Sequence, residues 1–387
     1  MAINIRKSVE EVNDFLVQTR RYFHQHAELS SQELGTNAYI KKHLDEWGIP
    51  YEEAGQTSIV ATIKGKKNGK VLAMRGDFDA LPILEATGLP FASENKGVMH
   101  ACGHDFHGTY MLSAAKILKD LRDEIPGTIK LIFQEGEEIG AGAREIIAAH
   151  LVDDVQNIVA LHVSSEYDFG KYTLNYGIMS AHGSGAVIDI ETKGGVLSEP
   201  EKGNNTLLVA TDLITSFSSL LPQYVSGYDQ AVFVPTVLKV TDKGDGIPSK
   251  VHLELNFRTY DYEIAKLLDV LAKKVVQGIE ISHDAKISIK CKEPSTSVNN
   301  DKESTDRAAS VIERLHGKDS VLWTKPATGG ENFSRFQEKF PGVFIHIGAI
   351  TNGVYRAHHT DKTDFDEKVL ADGLEFLLEY AFEYLNE

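Results

Sequence analysis

Cysteine is scarce in this 387-residue sequence, which contains only Cys102 and Cys291. Two cysteines cannot supply the disulfide framework that holds small secreted domains together. Residues 1–30 contain neither a long apolar stretch nor a small-residue cleavage site, and no apolar run reaches the roughly 18 residues that a membrane-spanning helix needs. We therefore expect a reducing, cytoplasmic location and no membrane partner.

Basic residues are also in short supply, since 40 Lys and Arg face 56 Asp and Glu and give a net charge of −16 with His neutral. This surplus of negative charge repels phosphate backbones, so we expect no nucleic-acid partner. The sequence also lacks a glycine-rich phosphate loop and a G-x-S-x-G nucleophile motif. It does contain 42% hydrophobic residues, which is enough for a packed core in two or three domains.

The first part of the sequence alternates short apolar runs, rich in β-branched residues, with helical stretches. This alternation is typical of an α/β domain with a mostly parallel central sheet. The capping-box spacing of Ser30 and Glu33 predicts a helix start before the first strand. We predict strands at 58–63, 71–74, 128–133 and 157–162, and helices at about 107–122 and 142–150.

The pattern changes near residue 180. Strand-like and helical segments then follow in the order β-α-β-β-α-β, which is the order of a ferredoxin-like module. We predict this α+β module at residues 183–293, inserted between residues 1–182 and 294–387 of one discontinuous α/β domain. The last stretch returns to the α/β pattern, with a strand at 343–348 and a helix from residue 366 onward.

The densest chemical signal is the segment from Met99 to His107, which reads M-H-A-C-G-H-D-F-H. Cys102 and His104 flank a glycine that allows a sharp turn, and thiolate and imidazole both bind zinc and similar ions such as cobalt. Asp105 and His107 are within reach as supports for these ligands. The alternative is a buried cysteine with hydrogen-bonded histidines at the start of a helix.

The second signal is the segment from Leu131 to Glu138, L-I-F-Q-E-G-E-E, in which acidic residues follow a hydrophobic strand. Open α/β sheets place their sites at the carboxyl ends of strands. Glu137 and Glu138 are adjacent and point in different directions, so that one can bind a metal ion while the other transfers protons. A solvated acidic loop is the alternative explanation.

Four further motifs place polar residues at the ends of predicted strands or before predicted helices. Asp77 and Asp79 follow one strand, where carboxylates commonly orient metal-binding histidines. The segment 328–334 places Gly330 before a predicted helix N-terminus, which suits an anionic group of a substrate. The other two motifs contribute histidines, namely His162 at a strand end and His358 and His359 before the final helix.

Together these motifs can supply one thiolate, one carboxylate and three imidazoles near the carboxyl ends of strands in one domain. Five ligands exceed the needs of one catalytic zinc, but they suit two divalent ions that share a bridging water. The sequence therefore predicts a dinuclear metal site.

Several motifs resemble the aminoacylase, hippurate hydrolase and auxin-conjugate (IAA-amino acid) hydrolase branch of the dinuclear metallopeptidases. The resemblance runs in order from about residue 20 to about residue 370. It implies a zinc-peptidase-like catalytic domain with two divalent ions (Mn, Zn or Co), and an inserted lid that also dimerises, so we expect a homodimer or a higher homo-oligomer. The motifs are R-R-Y-F-H-Q-H-A-E-L-S, R-G-D-F-D-A-L-P, M-H-A-C-G-H-D-F-H, F-Q-E-G-E-E, P-G-V-F-I-H-I-G and A-H-H-T-D-K-T-D-F-D-E.

The resemblance also implies a role for individual residues and a substrate. It makes Glu137 the general base, Asp79 a support for a metal ligand, and an N-acyl amino acid or small amide conjugate the substrate. Apart from the resemblance, Arg258 on a strand of the inserted module is a candidate for binding a substrate carboxylate, with a surface salt bridge as the alternative. The metal ligands that the resemblance implies are Cys102, His104, Glu138, His162 and His359.

Four departures from the family pattern bear on mechanism. Where the family pattern is F-Q-P-A-E-E, this sequence has F-Q-E-G-E-E, which keeps both carboxylates but changes the loop before them. Where the family pattern is E-D-F-S, this sequence has E-N-F-S. In the lid, N-x-I-P reads D-G-I-P from Asp245, and G-G-H-A-x-x-P has Val196 in place of the histidine that polarises the scissile carbonyl in relatives. Because the side chain of Val196 cannot donate a hydrogen bond, we expect a slower enzyme or a different donor.

The sequence leaves three other functions open. A dipeptidase or carboxypeptidase-like enzyme would apply the same chemistry to small or modified dipeptides. A non-catalytic metabolite-binding protein would fit the loss of the lid histidine at Val196. A cysteine hydrolase using Cys102 with His104 is disfavoured, because two residues separated by one glycine are badly placed for a nucleophile–base hydrogen bond.

Overall fold

A computed structural model describes residues 4–242 and 246–387 of the chain. These residues form two compact units. The large unit comprises the chain up to residue 179 together with residues 298–325 and 331–387, and the small unit comprises residues 180–297 and 326–330. Asp245, from the altered N-x-I-P segment, lies outside the described residues. That the small unit is a lid and dimerisation domain stays a prediction.

The helices and strands of the described residues are numbered here in chain order. None of these helices is both long enough and apolar enough to cross a lipid bilayer. The α-helices are α1 (Ile5–Glu11), α2 (Asn13–Gln25), α3 (Leu34–Glu46), α4 (His104–Asp120), α5 (Ala143–Ala148), α6 (Thr206–Tyr224), α7 (Tyr262–His283), α8 (Lys302–His316), α9 (Ser334–Gln337) and α10 (Val369–Asn386). The strands are β1 (Tyr51–Ala54), β2 (Ser58–Lys64), β3 (Val71–Asp77), β4 (Thr128–Gln134), β5 (Asn157–Ser164), β6 (Tyr172–Leu174), β7 (Gly177–Ile178), β8 (His182–Glu191), β9 (Ala231–Val240), β10 (Lys250–Thr259), β11 (Lys286–Lys292), β12 (Asn299–Asn300), β13 (Val321–Trp323) and β14 (Gly342–Gly348).

The large unit is built around an eight-stranded sheet with the strand order β1-β2-β4-β3-β5-β14-β6-β13. The centre of this sheet is parallel, because β3 pairs in parallel with β4 and β5, and β5 pairs in parallel with β14. The pairs β1–β2, β2–β4 and β6–β14 are antiparallel. The predicted α/β fold with a mostly parallel central sheet is confirmed.

Both faces of the central sheet are buried. Every residue of β5 is buried, as expected for a strand that is covered on both sides. Val159 and Leu161 pack into one hydrophobic cluster and Ile158 and Ala160 into another, because successive side chains of a strand point to opposite faces. Only the strand ends are therefore left to carry reactive polar groups.

The small unit has the element order β8-α6-β9-β10-α7-β11 and an antiparallel sheet with the strand order β11-β8-β10-β9. Alternate residues of β10 are buried. Leu253, Leu255 and Phe257 belong to one hydrophobic cluster with Phe217 of α6 and Leu271 of α7. The ferredoxin-like order that the sequence predicts is therefore present.

Helix α3 begins later than its capping-box spacing predicts. It starts at Leu34, after Glu33, and not at Ser30. The Ser30 hydroxyl donates to the Asp79 carboxylate at 2.7 Å, and the Glu33 carboxyl group contacts the Thr57 hydroxyl at 2.8 Å. The prediction was wrong because long-range contacts, which sequence spacing does not show, use both side chains.

Gly76 of β3 lies against helix α4, and a Cβ built there would be 2.4 Å from the backbone carbonyl oxygen of His107. We expect Gly76→Ala to destabilise the protein by about 1–3 kcal/mol, because the helix must move away from the strand. Urea unfolding followed by circular dichroism measures the loss. Gly278→Ala in α7 is the control, since a Cβ there meets nothing within 4 Å and alanine favours a helix. Equal stability of the two variants would contradict the prediction.

Candidate metal centre

The candidate site lies at the carboxyl ends of neighbouring strands in the large unit. Strand β3 ends at Asp77, with Asp79 two residues later, and β4 ends at Gln134, shortly before Glu137. Strand β5 carries His162 near its end. Because β4, β3 and β5 are adjacent and parallel, their carboxyl ends meet at one edge of the sheet.

A tight turn at Gly103 brings two more polar residues to this edge. Gly103 has a φ of 92°, and a Cβ there would lie 2.3 Å from Val163 Cγ2. Only glycine fits this combination of backbone conformation and close packing. Helix α4 therefore starts at His104, earlier than the predicted residue 107, and Cys102 directly precedes the turn.

Two imidazoles in the cluster are held so that Nε2 is the free ring nitrogen. His104 Nδ1 lies 3.0 Å from Asp79 Oδ1 and 3.1 Å from the Asp79 carbonyl oxygen. His162 Nδ1 lies 2.6 Å from the Val163 carbonyl oxygen. Because these acceptors require a proton on Nδ1, each Nε2 keeps a lone pair that can bind a metal ion.

Cys102 is the common neighbour of the remaining ligand candidates. Its Sγ lies 3.6 Å from His162 Nε2 and 3.4 Å from His359 Nε2. His359 Nε2 also lies 3.3 Å from Glu138 Oε1. Two groups with ligand atoms within 4.8 Å of one another share the cysteine, and they are Cys102–His104–His162 and Cys102–Glu138–His359. The structure thus brings together all five residues that were predicted as ligands.

The donor set fits divalent cations. His104 Nε2 is buried and has no hydrogen-bond partner among the described residues, which is unfavourable unless a ligand contacts it. Burial raises the pKa of the Cys102 thiol, so the thiolate form needs a nearby cation. Thiolate, imidazole and carboxylate groups are the donors that zinc, cobalt and similar ions bind.

Glu137 lies beside these ligands with a carboxyl group that can carry a proton. One oxygen of Glu137 is within 4.8 Å of ligand atoms of His104 and Glu138. Its Oε1 accepts a hydrogen bond from the backbone N–H of Asn332 at 3.0 Å. Burial, together with the Glu331 carboxylate, raises the pKa of Glu137 well above its ordinary value. A raised pKa favours the protonated carboxyl group, and a protonated carboxyl group can donate to a leaving amine in general acid–base catalysis.

Asp77 and His107 form a hydrogen-bonded pair next to the ligand candidate His104. His107 Nδ1 lies 2.6 Å from Asp77 Oδ1, and the Val163 amide donates to His107 Nε2 at 3.0 Å. Both ring nitrogens of His107 are therefore in use, so we do not count it as a ligand although it lies close to His104 and Asp77. Burial alone would raise the pKa of Asp77, but Arg75 and the imidazoles lower it well below its usual range.

The two adjacent histidines of the A-H-H-T motif have different positions. His359 has a φ of 61°, and its Nε2 faces Cys102 and Glu138. His358 Nε2 accepts a hydrogen bond from the Ser165 amide at 3.2 Å, which leaves its Nδ1–H directed at Cys102 Sγ, 3.9 Å away. His358 is therefore a hydrogen-bond donor to the sulfur, a distinction that the sequence does not show.

Arg258, the predicted substrate-binding arginine, belongs to the small unit. Its Nη1 donates to Asn256 Oδ1 at 3.2 Å and to the Phe257 carbonyl oxygen at 2.9 Å. Within the part of the chain that the structure describes, Arg258 forms no ion pair. The surface salt bridge that was the alternative for Arg258 is thus not seen among those residues.

Gly330 also belongs to the small unit, whereas the helix that follows it in sequence, α9, belongs to the large unit. This helix has only four residues. The amide of Phe333 before it is already bonded to the Glu331 side chain at 2.7 Å. The predicted helix N-terminus is therefore short, and one of its amides is in use.

Arg75 is a contributor to the site that the sequence reasoning missed. Its buried guanidinium contacts Asp77 at 2.8 Å and Glu331 at 3.0 Å, and donates to Asn332 Oδ1 at 3.0 Å. Asn332 Nδ2 in turn donates to the Ala141 carbonyl oxygen at 2.9 Å, which the aspartate of the family pattern could not do. The available signal was an arginine inside an apolar strand, because buried arginines are almost always paired.

Comparison with known proteins identifies the family. Residues 73–383 match peptidase family M20/M25/M40, and the chain belongs to this family. An N-acetylcysteine deacetylase of Bacillus subtilis (strain 168) is 34% identical over 368 residues, which cover 95% of this chain and 96% of the relative. An N-acyl-L-amino acid amidohydrolase of Geobacillus stearothermophilus is 33% identical over 283 residues, which cover 73% of this chain and 76% of the relative.

A solved structure extends the comparison to three dimensions. A dinuclear metal-binding peptidase of the M20 family from Bacillus subtilis superposes with a TM-score of 0.82 at 30% identity, covering 97% of this chain and 99% of that chain. The resemblance that the motifs carry is confirmed, and the protein is a hydrolase that acts on amide bonds. The two ligand groups and the dinuclear relative together support a site for two divalent metal ions.

Asp79 fixes the ring of His104, so replacing it should weaken metal binding. In Asp79→Asn the amide can present N–H to His104 Nδ1, which favours the tautomer with a proton on Nε2. We expect affinity for Mn²⁺ or Zn²⁺ to fall by about 10–100-fold in competition with a chromophoric chelator. Asp123→Asn is the control, since that side chain is 66% exposed. Unchanged affinity in Asp79→Asn would show that the contact is not needed.

Proposed function

We propose that the cluster around Cys102 and Glu137 hydrolyses the amide bond of N-acyl amino acids or related small conjugates and releases the amino acid. The observation that carries the proposal is the position of the Glu137 carboxyl group beside a cluster of thiol, imidazole and carboxylate donors. The deacetylase and the amidohydrolase named above support the substrate class. Family membership supports the reaction type.

The proposed metal site has five protein ligands from four segments of the large unit. Divalent ions held there would supply Lewis acidity, which favours deprotonation of water and polarises an amide carbonyl. We propose Mn, Zn or Co as the physiological ions, because the mixed donor set suits all three. The proposed ligands are Cys102, His104, Glu138, His162 and His359.

Glu137 would serve as the general base and then as the general acid. The Asn332 amide occupies Oε1 and holds the carboxyl group in one orientation, which leaves Oε2 to take the proton of the attacking water. The same proton would then pass to the nitrogen of the leaving amine. Asp79 would keep His104 in the ligating tautomer throughout. Correctly placed acid–base catalysis is typically worth about 10²–10⁴-fold in rate.

The small unit would contribute substrate recognition. Nη1 of Arg258 is bonded to its own strand, whereas Nε and Nη2 have no hydrogen bond among the described residues. We propose that this free edge binds the substrate carboxylate, and that Gly330 lies close to the substrate backbone. Val196, 56% exposed, replaces the carbonyl-polarising histidine of relatives, so we propose a slower enzyme or a different donor.

We also propose that the protein is a cytoplasmic homo-oligomer that pairs through β9. β9 is an edge strand that exposes a row of apolar side chains, and among the described residues no strand pairs with its outer side. Such an edge can pair with a strand of another chain. The side chains, with exposures of 40–46%, are Val232, Val234, Leu238 and Val240.

Replacing Glu137 should separate catalysis from metal binding. We expect Glu137→Gln to lose about 10²–10⁴-fold in kcat on the best N-acetyl amino acid, because the amide cannot accept the proton. Metal content measured by atomic emission should stay at the wild-type value. Glu303→Gln, an exposed change on α8, is the control. Equal background rates in wild type and Glu137→Gln over a whole acyl-amino-acid panel would favour the non-catalytic metabolite-binding alternative.

Substrate and metal assays distinguish the remaining alternatives. We expect exhaustive chelation to abolish hydrolysis and Mn²⁺, Co²⁺ or Zn²⁺ to restore it. N-acetyl amino acids should be cleaved at least 10-fold faster than the matching free-amine dipeptides, measured as kcat/KM (about 1.4 kcal/mol of discrimination). The reverse order would favour the dipeptidase. Full activity after metal removal in reducing buffer would favour the cysteine hydrolase.

A charge at the β9 edge should disrupt the proposed oligomer. We expect Val234→Lys to convert it to a monomer in size-exclusion chromatography with light scattering, because a lysine at the edge opposes strand pairing. Val270→Lys on α7 is the matched control, since Val270 is also exposed (59%) but lies on a helix. A monomeric wild type, or a variant that stays oligomeric, would rule out pairing through this edge.

A further inference from the structure

Glu135 lies in the loop before Glu137, where the sequence departs from the F-Q-P-A-E-E pattern. It is 2% exposed, and its carboxylate accepts hydrogen bonds from the turn between β1 and β2. The Gln56 amide lies 3.1 Å from Oε1 and 3.0 Å from Oε2, and the Thr57 amide also donates to Oε2. Both oxygens of the Glu135 carboxylate therefore accept backbone N–H groups.

Glu33, next to the first residue of α3, contacts the same turn. It is fully buried, and its two carboxyl oxygens contact the Thr57 hydroxyl at 2.8 Å and the Gly136 amide at 3.0 Å. The Thr57 hydroxyl also lies 2.7 Å from Glu135 Oε2. One hydroxyl group therefore stands between the oxygens of two buried carboxyl groups.

The number of protons in this contact follows from its geometry. A hydroxyl carries one proton and can donate to only one of the two carboxyl groups. If both were ionised, the other carboxylate would face the lone pairs of the hydroxyl and a like charge, away from water. Every contact is satisfied when Glu33 carries a proton and donates it to the Thr57 oxygen, while the Thr57 hydroxyl donates to Glu135, whose two oxygens already accept backbone N–H groups.

We propose that Glu33, Thr57 and Glu135 share one titratable proton. We also propose that these three hydrogen-bonded side chains position the loop that carries Glu137. Glu33 would act as a positioning residue through Gly136, whose amide contacts it and whose φ is 57°. The catalytic part of this inference rests on the function proposed above. The shared proton itself does not.

The charged groups around Glu33 are acidic. Glu135 faces it through the Thr57 hydroxyl, and Asp79 faces it from the segment after β3. No basic side chain forms an ion pair with Glu33 in residues 4–242 and 246–387. Burial, with a smaller effect of Asp79, raises the pKa of Glu33 from 4.5 to about 7. A carboxyl group whose pKa is higher in the folded than in the unfolded protein stabilises the fold while it is protonated. For Glu33 this stabilisation is complete below the unfolded pKa of 4.5 and is lost as the pH rises through about 7.

Urea unfolding of the metal-free protein between pH 5 and pH 9 tests the shared proton without a substrate. Glu33→Gln cannot titrate, and Glu52→Gln, an exposed change on β1, is the matched control. We expect the wild-type unfolding equilibrium constant to rise by about 10²-fold relative to that of Glu33→Gln over this range, while Glu52→Gln follows the wild type. Identical pH dependence in wild type and Glu33→Gln would overturn the proposal.

Mn²⁺ affinity tests the positioning step separately from turnover. We expect Glu33→Gln to bind Mn²⁺ as tightly as wild type at pH 6 and several-fold more tightly at pH 8, where wild type has lost the proton. Thr57→Ser, which keeps the hydroxyl, should retain the wild-type pH dependence, and Thr57→Val should move it to higher pH, because the hydrogen bond from Thr57 lowers the pKa of Glu33. If Thr57→Val does not fold, the other two variants still decide.

The outcomes distinguish this inference from the proposed function. A ratio of Mn²⁺ affinities that is constant with pH would overturn the positioning role, even if the unfolding data support the shared proton. A third outcome is that the wild-type to Glu33→Gln ratios of the unfolding constants and of the Mn²⁺ affinities both change with pH as expected, while the Mn²⁺-loaded wild type hydrolyses no N-acyl amino acid. In that case the function proposed above is wrong, and the shared proton and its positioning role stand.

Discussion

The site depends on one repeated interaction, in which the Nδ1 proton of a histidine is bonded to an oxygen of the surrounding fold. Asp79 holds His104 in this way, the Val163 carbonyl holds His162, and Asp77 holds His107. Each bond fixes both the tautomer and the plane of the ring, so the direction of Nε2 in these three histidines is set by the surrounding fold and not by a bound ion. The acceptors come from β3, β5 and the segment after β3, which explains why the packing of α4 against these strands matters to the chemistry.

A second constraint is the balance of buried charge. Asp77, Glu137 and Glu331 lie close together with Arg75 as the main compensating cation. Arg75 cannot neutralise all three, so Asp77 stays ionised while burial and Glu331 raise the pKa of Glu137. Unequal environments therefore shift the pKa values of Asp77 and Glu137 in opposite directions, although both residues lie at the same edge of the sheet.

Sequence patterns predict the features that depend on local order. The alternation of apolar runs and helices predicts the sheet, and the five proposed ligand residues lie in motifs whose side-chain chemistry indicates metal binding. The residue types alone could not separate His358 from His359, although the family resemblance selects His359, because the difference depends on the backbone N–H of Ser165. Nor could it place the start of α4, which depends on how closely Gly103 packs on Val163. Both features arise from contacts between segments that are distant in the chain.

The departures in the loop before Glu137 also become understandable only in three dimensions. A proline in the family pattern would restrict the backbone by fixing φ, whereas Glu135 is followed by Gly136 in a left-handed conformation. Rigidity is instead supplied by hydrogen bonds, from the β1–β2 turn to Glu135 and from the Asn332 side chain to Ala141. Covalent restraint acts at every pH, whereas hydrogen bonds to carboxylates act only in the right protonation state. The loop that carries Glu137, the proposed general base, therefore depends on the polar groups around it.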